Sequence, residues 1–199
     1  MTISGILLAA GAGSRFGGRK LLQPLPDGTP IGVAALRNLS DALDRIIVVV
    51  RSGDEELAAR FGQEGARVLT CAHAVDGMAH SLAAGIEAEA DADGWVIALG
   101  DMPRVRPDTI RAVAGKLAAG APIVVPCYRG QRGHPVGFAS DYRQELLGLR
   151  GDAGARAVLQ RHASAVLRLD VDDPGVVQDV DTAEDLARLT DANERAATN

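Results

Sequence analysis

Residues able to do phosphate chemistry collect in three short stretches of this sequence. The first, Leu8-Ala9-Ala10-Gly11-Ala12-Gly13-Ser14-Arg15-Phe16-Gly17-Gly18-Arg19-Lys20, places four glycines and three cations in one loop. Glycines let backbone N–H groups crowd around an anion, and Arg15, Arg19 and Lys20 add charge and donors. Triphosphate binding is the direct chemical reading. The second stretch, Gly100-Asp101-Met102-Pro103, presents one carboxylate directly after an apolar run. The third, Asp179-Val180-Asp181-Thr182-Ala183-Glu184-Asp185, is acidic. Carboxylates opposite a cationic phosphate loop suit Mg2+ or Mn2+, which combine one or two carboxylates with phosphate oxygens. Asp181 has a second reading, because Glu184 three residues later makes a capping box for a final helix. Coordination and capping both stand at this point.

Two familiar glycine motifs fail. A P-loop needs Gly-Lys-Ser/Thr, whereas Gly18 is followed by Arg19-Lys20-Leu21, with no hydroxyl for a metal. The dinucleotide fingerprint needs glycine where Phe16 stands and a helix opening at once, which Pro24, Pro26, Gly28 and Pro30 oppose. The second apolar run leads from Val50 to Arg51, with no acid for a ribose.

The elements that must position these residues alternate. Strands are expected at Ile3–Ala9, Arg45–Val50, Arg67–Thr70, Trp95–Leu99, Ile123–Pro126, Val136–Ala139 and Ala165–Leu169. Continuous apolar runs such as Ile46-Ile47-Val48-Val49-Val50 predict strands buried on both faces, as in a parallel sheet. Helices are expected at Ile31–Leu43, Glu55–Gly62, Met78–Ala90, Asp108–Ala119, Tyr142–Leu149, Ala153–Arg161 and Ala183–Asp191, with Pro30 and Pro107 at tolerant first-turn positions. The alternation predicts a three-layer α/β/α fold with a mostly parallel, doubly wound, Rossmann-like sheet. The strands near Val136 and Ala165, less regularly spaced, are expected as antiparallel additions at one edge. Ligands of such sheets bind beyond the carboxyl ends of the strands, where the three stretches fall.

Composition narrows the classes. A length of 199 residues with 47% hydrophobic and 24% charged residues fits one globular domain over 1–190 with a flexible tail over 191–199. A formal charge of −5 argues against nucleic-acid binding. Two cysteines, Cys71 and Cys127, form no disulfide scaffold and fit a reducing cytoplasm. Cys71 and His73 lack the companion spacing of a zinc site, and His162 with Arg143–Glu145 reads as solvated helix surface. Ala10-Gly11-Ala12 imitates a signal-peptidase site, but Met1-Thr2 carries no side-chain charge and the run from Ile3 is too short to span a bilayer.

The loop Leu-Ala-Ala-Gly-x-x-x-Arg-Phe-Gly-x-x-Lys resembles the signature of MobA-like nucleotidyltransferases, which have a glycosyltransferase-A type fold. Gly100-Asp101-Met102-Pro103 resembles their Gly-Asp-x-Pro segment, and the 179–185 run resembles Asp-x-Asp-Thr-Pro-Glu-Asp, with Ala183 in place of proline. Gly77-Met78-Ala79-His80-Ser81-Leu82 resembles the segment that closes over base and ribose. Arg129-Gly130-Gln131-Arg132-Gly133-His134-Pro135-Val136-Gly137-Phe138 and Gly151-Asp152-Ala153-Gly154-Ala155-Arg156 resemble stretches of the molybdenum cofactor cytidylyltransferase (MocA-like) branch.

The resemblance implies transfer of CMP from CTP to the terminal phosphate of molybdopterin cofactor, with release of pyrophosphate. It assigns Leu8, Ala9, Ala10, Gly11, Gly13, Ser14, Arg15, Lys20, Gly77, Ser81 and Asp101 to the nucleotide, and Arg15, Lys20 and Asp101 to catalysis. Asp101 and Asp181 would hold Mg2+ or Mn2+, while Arg132, Gly133, His134, Asp152 and Arg156 would meet the pterin acceptor. It also implies transient contact with a client molybdoenzyme or its chaperone. Rival readings are the same fold acting on another nucleotide or phosphate acceptor, a non-catalytic cofactor carrier, and a dinucleotide-dependent oxidoreductase.

Overall fold

The computed structural model describes residues 1–11, 19–151 and 154–188. Gly13, Ser14, Arg15, Asp152 and the expected tail lie outside the described residues. The strands are β1 (Ile3–Leu8), β2 (Ile46–Arg51), β3 (Arg67–Cys71), β4 (Gly94–Leu99), β5 (Ile123–Tyr128), β6 (Gln131–Arg132), β7 (Val136–Ala139) and β8 (Val166–Asp170). The helices are α1 (Ile31–Ser40), α2 (Glu55–Gln63), α3 (Met78–Ala88), α4 (Pro107–Ala118), α5 (Arg143–Leu147) and α6 (Arg156–Arg161), with a further helical turn over 183–188.

One sheet runs β3-β2-β1-β4-β7-β5, and its core β3-β2-β1-β4 is parallel throughout. Residues two apart along a strand share a face, and the apolar core divides accordingly. Leu7, Val48, Val50, Val96, Ala98 and Val124 pack with residues of α1, α2 and α4 on one side. Ile6, Leu8, Ile47, Val49, Trp95, Ile97 and Val125 pack with α3, α5 and α6 on the other. This is the three-layer arrangement that the doubly buried strand runs predict.

The last strands meet the expectation in part: β7 is antiparallel but not at the edge, and β8 is at the edge but not antiparallel. β7 lies inside the sheet, antiparallel to both β4 and β5, while β8 on the far side of β5 is parallel to it. Arg129-Gly130 joins β5 to β6 directly, so the chain must reverse there. It returns along the same side of β5 and fills the gap beside β4. Gly137 makes this possible, since a Cβ there would come within 2.9 Å of Val113 and Leu117 of α4.

The end of the sheet opposite the carboxyl ends is fixed by Glu89. Its buried carboxylate accepts from Ser4 Oγ at 2.8 Å, from Arg67 at 2.6 Å and from Arg45. Trp95 Nε1 donates to its carbonyl oxygen at 3.0 Å. No described helix is long and apolar enough to cross a membrane.

Candidate active site

The parallel strands deliver the residues after β1, β2 and β4 to one edge, and a cavity of about 310 Å3 opens there. Leu8, Ala9, Ala10, Gly11, Lys20, Gly77, Ser81 and Asp101 all line it. These are the expected nucleotide-binding residues that fall among the described ones. Its size lies in the small-molecule range.

Lys20 opens a short 3-10 turn, Lys20–Leu22. Its Nζ lies 2.7 Å from Asp101 Oδ2 and 3.0 Å from Asp181 Oδ1. Burial alone would lower the lysine pKa, but the hydrogen bonds and charges of Asp101 and then Asp181 outweigh it, so the pKa is raised. The ammonium is therefore charged at neutral pH.

The capping expectation for Asp181 is corrected. Thr182 and Asp185 form the reciprocal pair: Thr182 N–H donates to Asp185 Oδ2 at 2.8 Å, and Asp185 N–H to Thr182 Oγ1 at 3.1 Å. The box lies one residue further on than Asp181 and Glu184. Asp181 N–H also donates to Asp185 Oδ2, so Asp185 holds the turn while the Asp181 carboxylate accepts from Lys20. A backbone bond, Val180 N–H to Asp101 C=O at 2.9 Å, joins the two acidic segments.

A metal fits this donor set. Asp101 Oδ1 is buried without a hydrogen-bond partner, an acceptor left for a cation. Among the described residues no three His, Cys, Asp or Glu side chains converge. Mg2+ or Mn2+ would therefore draw its remaining ligands from phosphate and water, as these ions do.

Gly77 lets the chain turn from the 3-10 segment Ala72–Asp76 into α3, at φ +118°, a left-handed conformation that side chains disfavour. The turn brings Ser81 to the cavity with its Oγ buried and without a partner. Such a hydroxyl is poised for a ligand.

The expected acceptor residues lie elsewhere. Arg132 is exposed in the β5–β6 hairpin, Arg156 is exposed at the start of α6, and neither lines the cavity. Gly133 is packed against the 174–177 turn, where a Cβ would stand 2.0 Å from the Val176 carbonyl oxygen. His134 is drawn inward. Its Nδ1 is buried without a hydrogen-bond partner. Burial pushes its pKa down, against the smaller upward pull of Asp101, Ile97 and Asp179. His162 and Glu145, expected to be simply solvated, pair at 2.7 Å.

Met78 of the Gly77–Leu82 segment also lines the cavity, as do Arg51, Ala74 and Val75, which were not singled out by the sequence. Arg51 ends the parallel strand β2, so the carboxyl-edge rule was sufficient to find it. Val75 is an exposed apolar residue in a segment without periodicity, and nothing in the sequence marks it.

The MobA-like NTP transferase domain matches residues 5–166. The chain is 36% identical over 197 residues to the purine catabolism protein PucB of Bacillus subtilis, covering 91% of this chain and 92% of PucB. It is 30% identical over 195 residues to nicotine blue oxidoreductase of Paenarthrobacter nicotinovorans, covering 94% and 96%. Against the molybdenum cofactor cytidylyltransferase of Escherichia coli it is 26% identical over 185 residues, covering 90% and 91%. The fold matches Rv0371c of Mycobacterium tuberculosis H37Rv with TM-score 0.80 and 30% identity, covering 96% and 98%. A manganese complex of that protein matches with TM-score 0.77 and 29% identity, covering 96% and 100%. A cavity at the carboxyl edge lined by Lys20 and Asp101, and a family match over residues 5–166, lead to one conclusion: this chain belongs to the MobA-like NTP transferase family.

Proposed function

We propose that this protein transfers CMP from CTP to the terminal phosphate of molybdopterin cofactor, releasing pyrophosphate. The observation that carries the reading is the meeting of Lys20, Asp101 and Asp181 at one end of the cavity that begins at Leu8-Ala9-Ala10-Gly11. The similarity to a molybdenum cofactor cytidylyltransferase and the Arg-Gly-His-Pro-Val stretch at 132–136 favour this acceptor.

In this reading an oxygen of the acceptor phosphate attacks the α-phosphorus, and the bond to the β-phosphate oxygen breaks. A phosphate monoester loses its second proton near pH 6, so the acceptor is already a nucleophile at neutral pH and needs no general base. Catalysis then rests on position and charge. The backbone of Ala9, Ala10 and Gly11 and the Ser81 hydroxyl hold base and ribose. Lys20 neutralises charge growing on the departing pyrophosphate, with Arg15 of the same loop as its partner. Asp101 and Asp181 hold Mg2+ or Mn2+, which when bound acts as a Lewis acid toward the α-phosphate. Arg132, Asp152 and Arg156 are assigned to the acceptor side, with the inward-turned His134 supporting that region and not touching the acceptor, and the product passes to a client molybdoenzyme or its chaperone in the cytoplasm.

Relatives in the family carry transferase and oxidoreductase names, so the test separates both. Pyrophosphate release is measured with each of the four nucleoside triphosphates, with and without molybdopterin cofactor, beside oxidation of reduced nicotinamide. Release with CTP that requires the pterin is expected. Release with another nucleotide or a sugar phosphate redirects the substrate, binding without release indicates a carrier, and nicotinamide oxidation alone overturns the transferase reading.

A further inference from the structure

Lys20 occupies the meeting point of the two acids assigned to the metal. Its ammonium touches Asp101 Oδ2 at 2.7 Å and Asp181 Oδ1 at 3.0 Å, in a site where the Lys20 side chain is only 13% exposed. We infer that Lys20 is an exchangeable counter-ion: without nucleotide it keeps free divalent metal out, and nucleotide admits the metal by drawing the ammonium onto phosphate. The inference rests on the reading of Asp101 and Asp181 as metal ligands.

The charges argue for it. The Lys20 ammonium offsets one of the two carboxylate charges and so weakens the pull of the pair on a divalent ion. Seating the ion on the same two carboxylates, with Asp101 Oδ1 as one ligand, while the ammonium stays on Asp101 Oδ2 and Asp181 Oδ1 would set like charges within a few ångströms, in surroundings less screening than water. No third acid among the described residues converges there to offset that repulsion. A nucleoside triphosphate reverses the balance, because its phosphates supply acceptors for both cations at once. The lysine is built to move. Its carbonyl accepts from Gln23 N–H at 3.1 Å, and Gln23 C=O accepts from Ile31 N–H at 2.9 Å, so the backbone is tied to the start of α1. The four-carbon stem leaves the head free to swing between carboxylate and phosphate.

Manganese binding decides the matter, followed by the loss of the free-ion EPR signal. The proteins are wild type, Lys20→Met, Lys20→Arg and the double variant Lys20→Met/Asp101→Asn, each without nucleotide and with a non-hydrolysable α,β-methylene analogue of CTP. Without nucleotide, Lys20→Met should bind Mn2+ at least tenfold more tightly than wild type. Lys20→Arg should stay near wild type, and the double variant should lose the gain. The analogue should tighten Mn2+ binding to wild type at least tenfold and to Lys20→Met by clearly less. Should Lys20→Met unfold because its two carboxylates repel, the gate requires that Mn2+ restore folding, read as a rise in Tm larger than in wild type. Equal or weaker binding by Lys20→Met, or a gain that survives Asp101→Asn, overturns the inference. These measurements need no turnover: the gate can fail while CMP transfer is observed, and transfer can fail while the gate holds.

Discussion

The backbone N–H of Val180 donates to the carbonyl oxygen of Asp101 at 2.9 Å, tying the loop after β4 to the segment before the last helix. Neither residue's side chain takes part, yet this bond sets the neighbouring Asp181 against Lys20. The result is a pair of carboxylates from distant parts of the chain that both meet the Lys20 ammonium.

Asp101→Asn removes one charge from that pair with almost no change in volume. Loss of a metal-ligand carboxylate costs several kcal/mol of transition-state stabilisation, so turnover should fall by about 10²-fold or more. Pyrophosphate release with CTP, pterin acceptor and Mg2+ measures it, and circular dichroism checks the fold. Near-normal turnover by the folded variant would remove Asp101 from the site.

Ala10 lines the cavity, and its methyl group would take up space there that a glycine leaves open. MobA-like guanylyltransferases resemble this loop but read Leu-Ala-Gly-Gly there, so the methyl should favour cytosine over the larger guanine. A difference of that size is worth about 1–3 kcal/mol. CTP should be preferred to GTP, and Ala10→Gly should relax the preference only in part. Competition between the two nucleotides checks this, and equal use of GTP by the wild-type protein would refute it.

Gly133→Ala places a Cβ 2.0 Å from the Val176 carbonyl oxygen, the same oxygen that accepts from His134 N–H at 2.8 Å. Both neighbours are backbone, so the turn must shift. Overpacking of this kind costs about 1–3 kcal/mol. Urea unfolding should show the loss, with turnover also reduced because the turn leads directly to Asp181. Wild-type stability in the variant would mean that the contact relaxes freely.

His134 predicts a pH dependence of stability. Its folded pKa lies below the ordinary value of 6.5 because its ring is buried. As pH falls through that value, the unfolded chain takes up a proton that the folded chain resists. The stability contributed by neutral His134 is therefore complete above about pH 6.5 and drains away below it. The slope should approach, at most, about 1.4 kcal/mol per pH unit. Urea unfolding at pH 7.5 and 5.5 should show a smaller difference in His134→Asn than in wild type. Equal differences would place His134 outside this linkage.

Glu89→Gln should destabilise the protein while sparing nucleotide binding, because Glu89 sits at the opposite end of the sheet. It leaves Arg45 and Arg67 without their shared buried carboxylate. Breaking a buried pair costs about 3–5 kcal/mol, here reduced because Arg67 is largely exposed. Thermal melting and titration with CTP separate the two effects, and a large drop in affinity would contradict the assignment.

The local pattern of the chain was enough to determine the layered fold and one side of the cavity. Doubly apolar runs mark parallel strands because burial on both faces leaves no polar alternation, and ligand residues must follow such strands. Leu8 to Gly11, Lys20 and Asp101 were legible for that reason. Tertiary structure alone decided the rest. The interior position of β7 depends on the space beside β4 and on the missing Cβ of Gly137 against α4, neither of which leaves a trace in periodicity. Whether Asp181 caps a helix or faces Lys20 turned on a one-residue difference in the capping box, within a sequence that permits either register. His134 carries the same residue type whether it meets a ligand or turns inward. Only packing against the 174–177 turn chose the inward direction, because side-chain orientation is set by long-range contacts that spacing along the chain does not encode.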